Sequence, residues 1–154
     1  MVSLMKRFLS LAILAVSSSL VVSQVNAETA STNFDVKLNV LKSCSIAKPN
    51  DINFGNLLLS DLKTQSANTT LTVACTAGTG YNIAMWGQNN LKNVNDQNSI
   101  LGYNIKFDSN NTANVASSGT GNNQDYTVVA TLTGQNTNVK EGQYSDTVTA
   151  QISY

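Results

Sequence analysis

Asn33-Phe34-Asp35-Val36-Lys37-Leu38-Asn39-Val40 alternates polar and apolar residues without a miss. Successive side chains leave a strand on opposite sides, so this alternation marks a strand with one buried face and one wet face. The stretch follows closely on a targeting segment, and is therefore expected to be a nearly free N-terminal arm. An amphipathic strand at a free end needs a cover for Phe34, Val36, Leu38 and Val40. The residues alone leave open whether that cover lies in the same molecule or in another.

Residues 1–27 read as a signal peptide. Lys6 and Arg7 precede an apolar run over residues 8–16 broken only by Ser10, and Val25-Asn26-Ala27 has the small-x-small form of a cleavage site. Ser17, Ser18, Ser19, Ser23 and Gln24 interrupt the run before the roughly 18–20 residues that a membrane span requires. Cleavage after Ala27 leaves one ordinary domain with a single core. Without Lys6 and Arg7, seven Lys face nine carboxylates, a net charge of about −2. That balance gives no electrostatic basis for nucleic acid or an anionic membrane as partner.

Cys44 and Cys75 are the only cysteines. An even count in an exported chain is most simply read as one disulfide. The sequence contains no histidine, which argues against a metal site and removes the commonest general base. Asp108, Asp125, Glu141 and Asp146 remain as candidates for a glycosidase-like carboxylate pair. Scattered carboxylates in a β-protein are more often solvated, so no catalytic residue, cofactor or small-molecule substrate is expected. Trp86 and the tyrosines suit either a sugar-stacking surface or core and turn packing.

Working outward from the arm, alternation and turn residues predict strands over residues 52–56, 69–76, 81–86, 101–108, 126–132 and 144–154. Leu71, Val73 and Cys75 share one face, as do Leu101, Tyr103, Ile105 and Phe107. Loops are expected over residues 89–99, 134–142 and, as a long mobile connection rich in Asn, Ser, Thr and Gly, 109–124. In the last strand Tyr144, Val148, Ala150, Ile152 and Tyr154 oppose Thr147, Thr149, Gln151 and Ser153, and only Asp146 spoils the parity. No window carries a helical apolar period, so the expected fold is an antiparallel sandwich. An apolar final strand beside an unexplained amphipathic arm suggests that this sandwich is incomplete. An unpaired edge of that kind is an aggregation hazard unless another strand covers it, and strand donation between molecules is a known recognition mode.

The order and spacing of several short motifs resemble the spore coat protein U domain family, the subunits of archaic (Csu-type) chaperone–usher pili. They are Phe34-Asp35-Val36-Lys37-Leu38-Asn39-Val40 with Cys44, Ile52-Asn53-Phe54-Gly55, Val73-Ala74-Cys75-Thr76-Ala77-Gly78 with Tyr81, and Leu101-Gly102-Tyr103-Asn104-Ile105. Gly142-Gln143-Tyr144-Ser145-Asp146-Thr147-Val148, running on to Tyr154, completes the set. The resemblance implies an incomplete immunoglobulin-like β-sandwich lacking its last strand and completed by a donated one. Residues 28–43 would be donor arm and linker, and residues 44–154 the pilin domain. Phe34, Val36, Leu38 and Val40 would enter the groove of a neighbouring identical or homologous subunit. Val148, Ala150, Ile152 and Tyr154 would edge that groove and meet a periplasmic chaperone, whose basic residues would hold the carboxylate of Tyr154. Cys44 and Cys75 would form the disulfide joining the first two strands. An outer-membrane usher would complete assembly into a cell-surface fimbrium, reached through the periplasm and used in adhesion and biofilm formation. The alternatives are a secreted monomeric lectin-like module, or a coat protein, with a self-paired N-terminal strand.

Overall fold

The computed structural model describes residues 28–63 and 65–154; the expected signal peptide, residues 1–27, lies outside them. The backbone divides between Lys37 and Leu38 into two units. The described part of the first, from Glu28, contains no strand, and within it Lys37 Nζ pairs with Asp35 Oδ2 at 3.0 Å. The second unit, Leu38–Tyr154, carries all nine strands of the described residues.

These strands are β1 (Cys44–Ile46), β2 (Ser66–Cys75), β3 (Gly80–Trp86), β4 (Asn90–Asn93), β5 (Ile100–Phe107), β6 (Asn114–Ser118), β7 (Asn123–Thr137), β8 (Tyr144–Ser145) and β9 (Thr149–Ser153). They form a six-stranded sheet in the order β1-β2-β7-β5-β4-β8 and a three-stranded sheet in the order β6-β3-β9. Every ladder is antiparallel. One 3-10 turn, Leu59–Asp61, is the only helical segment among the described residues.

The alternation read from the sequence becomes the sandwich interior. Leu71, Val73 and Cys75 of β2, Val128 of β7 and Phe107 of β5 are buried against Tyr81, Ile83 and Met85 of β3. Thr70, Thr72 and Ala74 turn the other way, where Thr suits a pleated, half-buried surface. Tyr81 and Tyr126 join the two sheets through hydroxyls 2.5 Å apart, and Tyr126 meets Phe107 edge to face with centroids 6.0 Å apart. β5 bulges between Leu101 and Tyr103. A Cβ at Gly102 would stand 2.8 Å from both Gln135 O and Thr133 Oγ1, so the bulge requires glycine.

The structure departs from the sequence expectations in several places. Residues 33–40, read as a strand, form none, and the expected loop over 134–142 begins inside β7, which runs to Thr137. Residues 52–56 form no strand: Asn53 Oδ1 accepts from Gly55 N at 2.8 Å while Gly55 takes φ +74°. That Asx turn competes with ladder pairing. The expected loop over 89–99 contains β4, held on both sides by β5 and β8. The expected mobile connection contains β6, where Val115 and Ser117 alternate inward, as does Ala113 just before the strand, behind side chains too small to give a strong apolar signal. Finally, residues 144–154 are two strands in different sheets. β8 pairs with β4, and after a three-residue crossing β9 pairs with β3. Alternation survives the crossing, so Asp146 is not a frayed strand start but an inward-facing residue.

Candidate functional site

β1 ends the larger sheet and β9 ends the smaller one. Among the described residues each pairs on one side only, β1 with β2 and β9 with β3, which leaves an unpaired edge on both. Between them runs a groove of about 480 Å³. Ile46, Ile52 and Phe54 line one wall, Val148 and Ala150 the other, and Leu71, Ile105 and Val128 lie between them.

The groove opens where the hydrophobic core is divided. One cluster centres on Leu71, Val73, Ile83 and Phe107, and a second on Leu62, Leu101, Tyr103, Ala130 and Leu132. Ile52, Ile105 and Val148 pack against both clusters, remain partly exposed, and line the groove. Sandwich interiors normally pack to crystal-like density. A seam between two clusters, bounded by unpaired strand edges, is the shape left when one strand is missing.

Asp146 stands in the same groove. Its Oδ2 accepts from the Tyr103 hydroxyl at 2.8 Å and from Gln88 N at 3.1 Å, and its Oδ1 accepts from Thr147 N at 2.8 Å. Burial first, and then the Asp146 carboxylate, push the Tyr103 hydroxyl well above the usual tyrosine range, so it stays a donor at neutral pH. The pair fixes the crossing between β8 and β9. Tyr103→Phe removes the donor and leaves a partly buried carboxylate short of a partner, so a loss of about 1–3 kcal/mol in a urea melt is expected. An unchanged midpoint would show that Gln88 and Thr147 suffice.

Cys44 and Cys75 are bonded, S–S 2.04 Å, and sit opposite each other in the β1–β2 ladder. Val148 and Ala150 line the groove, Ile152 packs on the larger core cluster, and Tyr154 is half-exposed. In the arm Phe34, Val36, Leu38 and Val40 are 84, 89, 89 and 69% exposed, and residues 28–43 enter no ladder. The first residues held from within the second unit are Leu41 and Ser43. Thr76 Oγ1 donates to Leu41 O at 3.2 Å, and Ser43 N donates to Thr76 Oγ1 at 3.1 Å.

The four carboxylates considered for catalysis have different surroundings. Asp125 accepts from Thr72 Oγ1 at 2.6 Å across β7 and β2, Asp146 is bound by Tyr103, and Asp108 and Glu141 are exposed. Tyr81 and Tyr103 are buried in the core, whereas Trp86 is half-exposed. The groove wall at Ile46 and the lining at Ile105 and Val128 were not singled out from the sequence, although the inward parity of Ile105 was visible in its strand.

Two antiparallel sheets with almost no helix and a groove between their end strands define an all-β sandwich open along one seam. The chain belongs to the Spore Coat Protein U domain family, which it matches over residues 30–151. Its fold is similar to a chain in the crystal structure of the CsuC–CsuE chaperone–tip adhesion subunit pre-assembly complex from archaic chaperone–usher Csu pili of Acinetobacter baumannii. The TM-score is 0.56 at 23% identity, covering 75% of this chain and 40% of that one. This chain therefore spans less than half of the solved relative. Comparison with curated proteins gave no match.

Proposed function

We propose that this chain is a structural subunit of a chaperone–usher pilus, polymerising as the arm of one copy fills the groove of the next. The observation that carries the reading is the groove itself, an apolar seam between two core clusters with an unpaired strand on each side. Phe34, Val36, Leu38 and Val40 supply an unburied apolar face of matching period. Burying four such side chains is worth on the order of 6–12 kcal/mol gross. Pairing along a free edge adds about 1 kcal/mol net per hydrogen bond. Both terms work against the entropy of ordering the arm. The balance favours a slowly dissociating joint.

In this reading Val148, Ala150, Ile152 and Tyr154 edge the acceptor groove and bind a periplasmic chaperone before assembly. An outer-membrane usher then exchanges chaperone for subunit, delivering the chain to a surface fimbrium that supports adhesion and biofilm formation. The family membership and the solved chaperone–subunit complex of similar fold support the chaperone and the neighbouring pilin subunits as partners. The role assigned to the chain is structural and calls on no cofactor.

Deleting residues 28–40 tests the joint. The truncated chain should fail to extend a polymer in gel filtration with full-length subunit, yet gain thermal stability from a synthetic peptide of residues 28–43. A truncated chain that is destabilised and ignores the peptide would identify a self-complemented monomer and overturn the proposal.

A further inference from the structure

We infer that the arm enters the neighbour's groove in one register, fixed by an ion pair between Lys42 of the donor and Asp146 of the acceptor. The inference rests on the donation reading above and adds to it a direction, a register and a residue pair that sets both.

Direction follows from the charges. A strand between β1 and β9 can run antiparallel to only one of them, and one added antiparallel to the free edge of β9 points its C-terminal end, which carries Lys42, toward Asp146. Parity follows from the sequence. The arm residues on the apolar face are even-numbered, and that face continues through Lys42. On the acceptor, Asp146, Val148, Ala150 and Ile152 face inward, again at every second residue. Directly opposed residues of an antiparallel pair project to the same side of the sheet. One register therefore sets Val40 against Val148, Leu38 against Ala150, Val36 against Ile152 and Phe34 against Tyr154. The same register brings Lys42 to Asp146.

Its competitors are poor. A slip of one residue turns the whole apolar face outward. A slip of two residues puts Val40 against the Asp146 carboxylate, or else Lys42 against Val148. Parallel insertion sends Lys42 to the opposite end, away from Asp146. Asp146 is also fit to receive a cation. A carboxylate offers about four acceptor positions, and Tyr103, Gln88 and Thr147 occupy three of them. The other charged residues lining the groove, Lys48 and Asp51, follow β1 in the chain, whereas Asp146 precedes β9, and the two carry opposite signs. Lys42 lies between Leu41 and Ser43, whose backbones Thr76 holds. Its side chain is exposed where the arm meets the donor's own domain, and a charge there acts as a stop.

The test uses full-length subunit carrying Leu38→Asp, a change at an exposed position that disables its own arm and leaves its groove intact. Fluorescein-tagged peptides of residues 28–43 are titrated by anisotropy. The unaltered peptide and Lys37→Glu, which changes the outward face, should bind alike. Lys42→Glu should bind about tenfold more weakly or worse, because it sets two carboxylates together. The smaller penalty of Lys42→Gln should vanish when the acceptor also carries Asp146→Asn. Equal binding by all the peptides would overturn the register while leaving donation standing, as would a loss confined to Lys37→Glu. Failure of every peptide to bind would overturn donation and the register with it.

Discussion

Leu38→Asp should abolish fibres while leaving the subunit folded. Leu38 is exposed in the domain that carries it, so its replacement removes no intramolecular packing. In the proposed joint the same side chain lies near the middle of the buried face, flanked by Val36 and Val40. The substitution loses the burial of one leucine, about 1.5–3 kcal/mol. It also forces an unpaired carboxylate into an apolar seam, an effective penalty of several kcal/mol. Together these weaken each joint by about three orders of magnitude or more. A linear polymer multiplies that loss over every contact. Asn39→Asp makes the same charge change one residue away, on the wet face, and should assemble normally. Electron microscopy and gel filtration of the two variants separate a requirement for apolar parity from a general sensitivity to charge. Normal fibres from Leu38→Asp would remove the arm from the mechanism.

The sequence was most legible where long strands with one buried face carried large apolar residues. Leu71, Val73 and Cys75, and likewise Leu101, Tyr103 and Phe107, face the interior as their alternation requires. It was least legible where pairing is decided by neighbours. β4 is half asparagine, and Asn93 is buried because its Nδ2 donates to Glu141 O and its Oδ1 accepts from Asn95 N. No local pattern announces such a satisfied amide. β6 has the right period, but Ser117 in it and Ala113 just before it contribute little apolar area. The break between β8 and β9 was hidden for the opposite reason. Its parity is continuous through Asp146, and only the change of hydrogen-bonding partner from β4 to β3 reveals that the chain has moved to the other sheet. At the candidate site, the apolar parity of the last strand could be read locally. The groove between β1 and β9 could not, because Ile52, Ile105 and Val148 come from three distant segments.

Replacing both cysteines, Cys44→Ala with Cys75→Ala, should cost the isolated subunit about 3–4 kcal/mol, the entropic value for a loop of this length. The bridge spans a sequence separation of 31 and ties β1 to β2 at the first position of their ladder. β1 contributes only three residues to that ladder, beyond which Ala47 N still donates to Thr72 O at 2.9 Å. So short an edge has little pairing of its own to resist fraying, and Ile46 on it forms part of the groove wall. Domains of ordinary size are stable by about 5–15 kcal/mol, and one that leaves an apolar seam open belongs toward the lower end. Loss of the bridge should therefore leave a measurable unfolded fraction without denaturant and a groove that lacks one fixed wall. The peptide of residues 28–43 binds the folded form alone, so at saturation it should recover part of the lost stability by mass action. Urea melts of bridged and unbridged subunit, each with and without peptide, measure both effects. A double variant within about 1 kcal/mol of the parent would show that β1 is held by its ladder and by the Thr76 contacts rather than by the bridge.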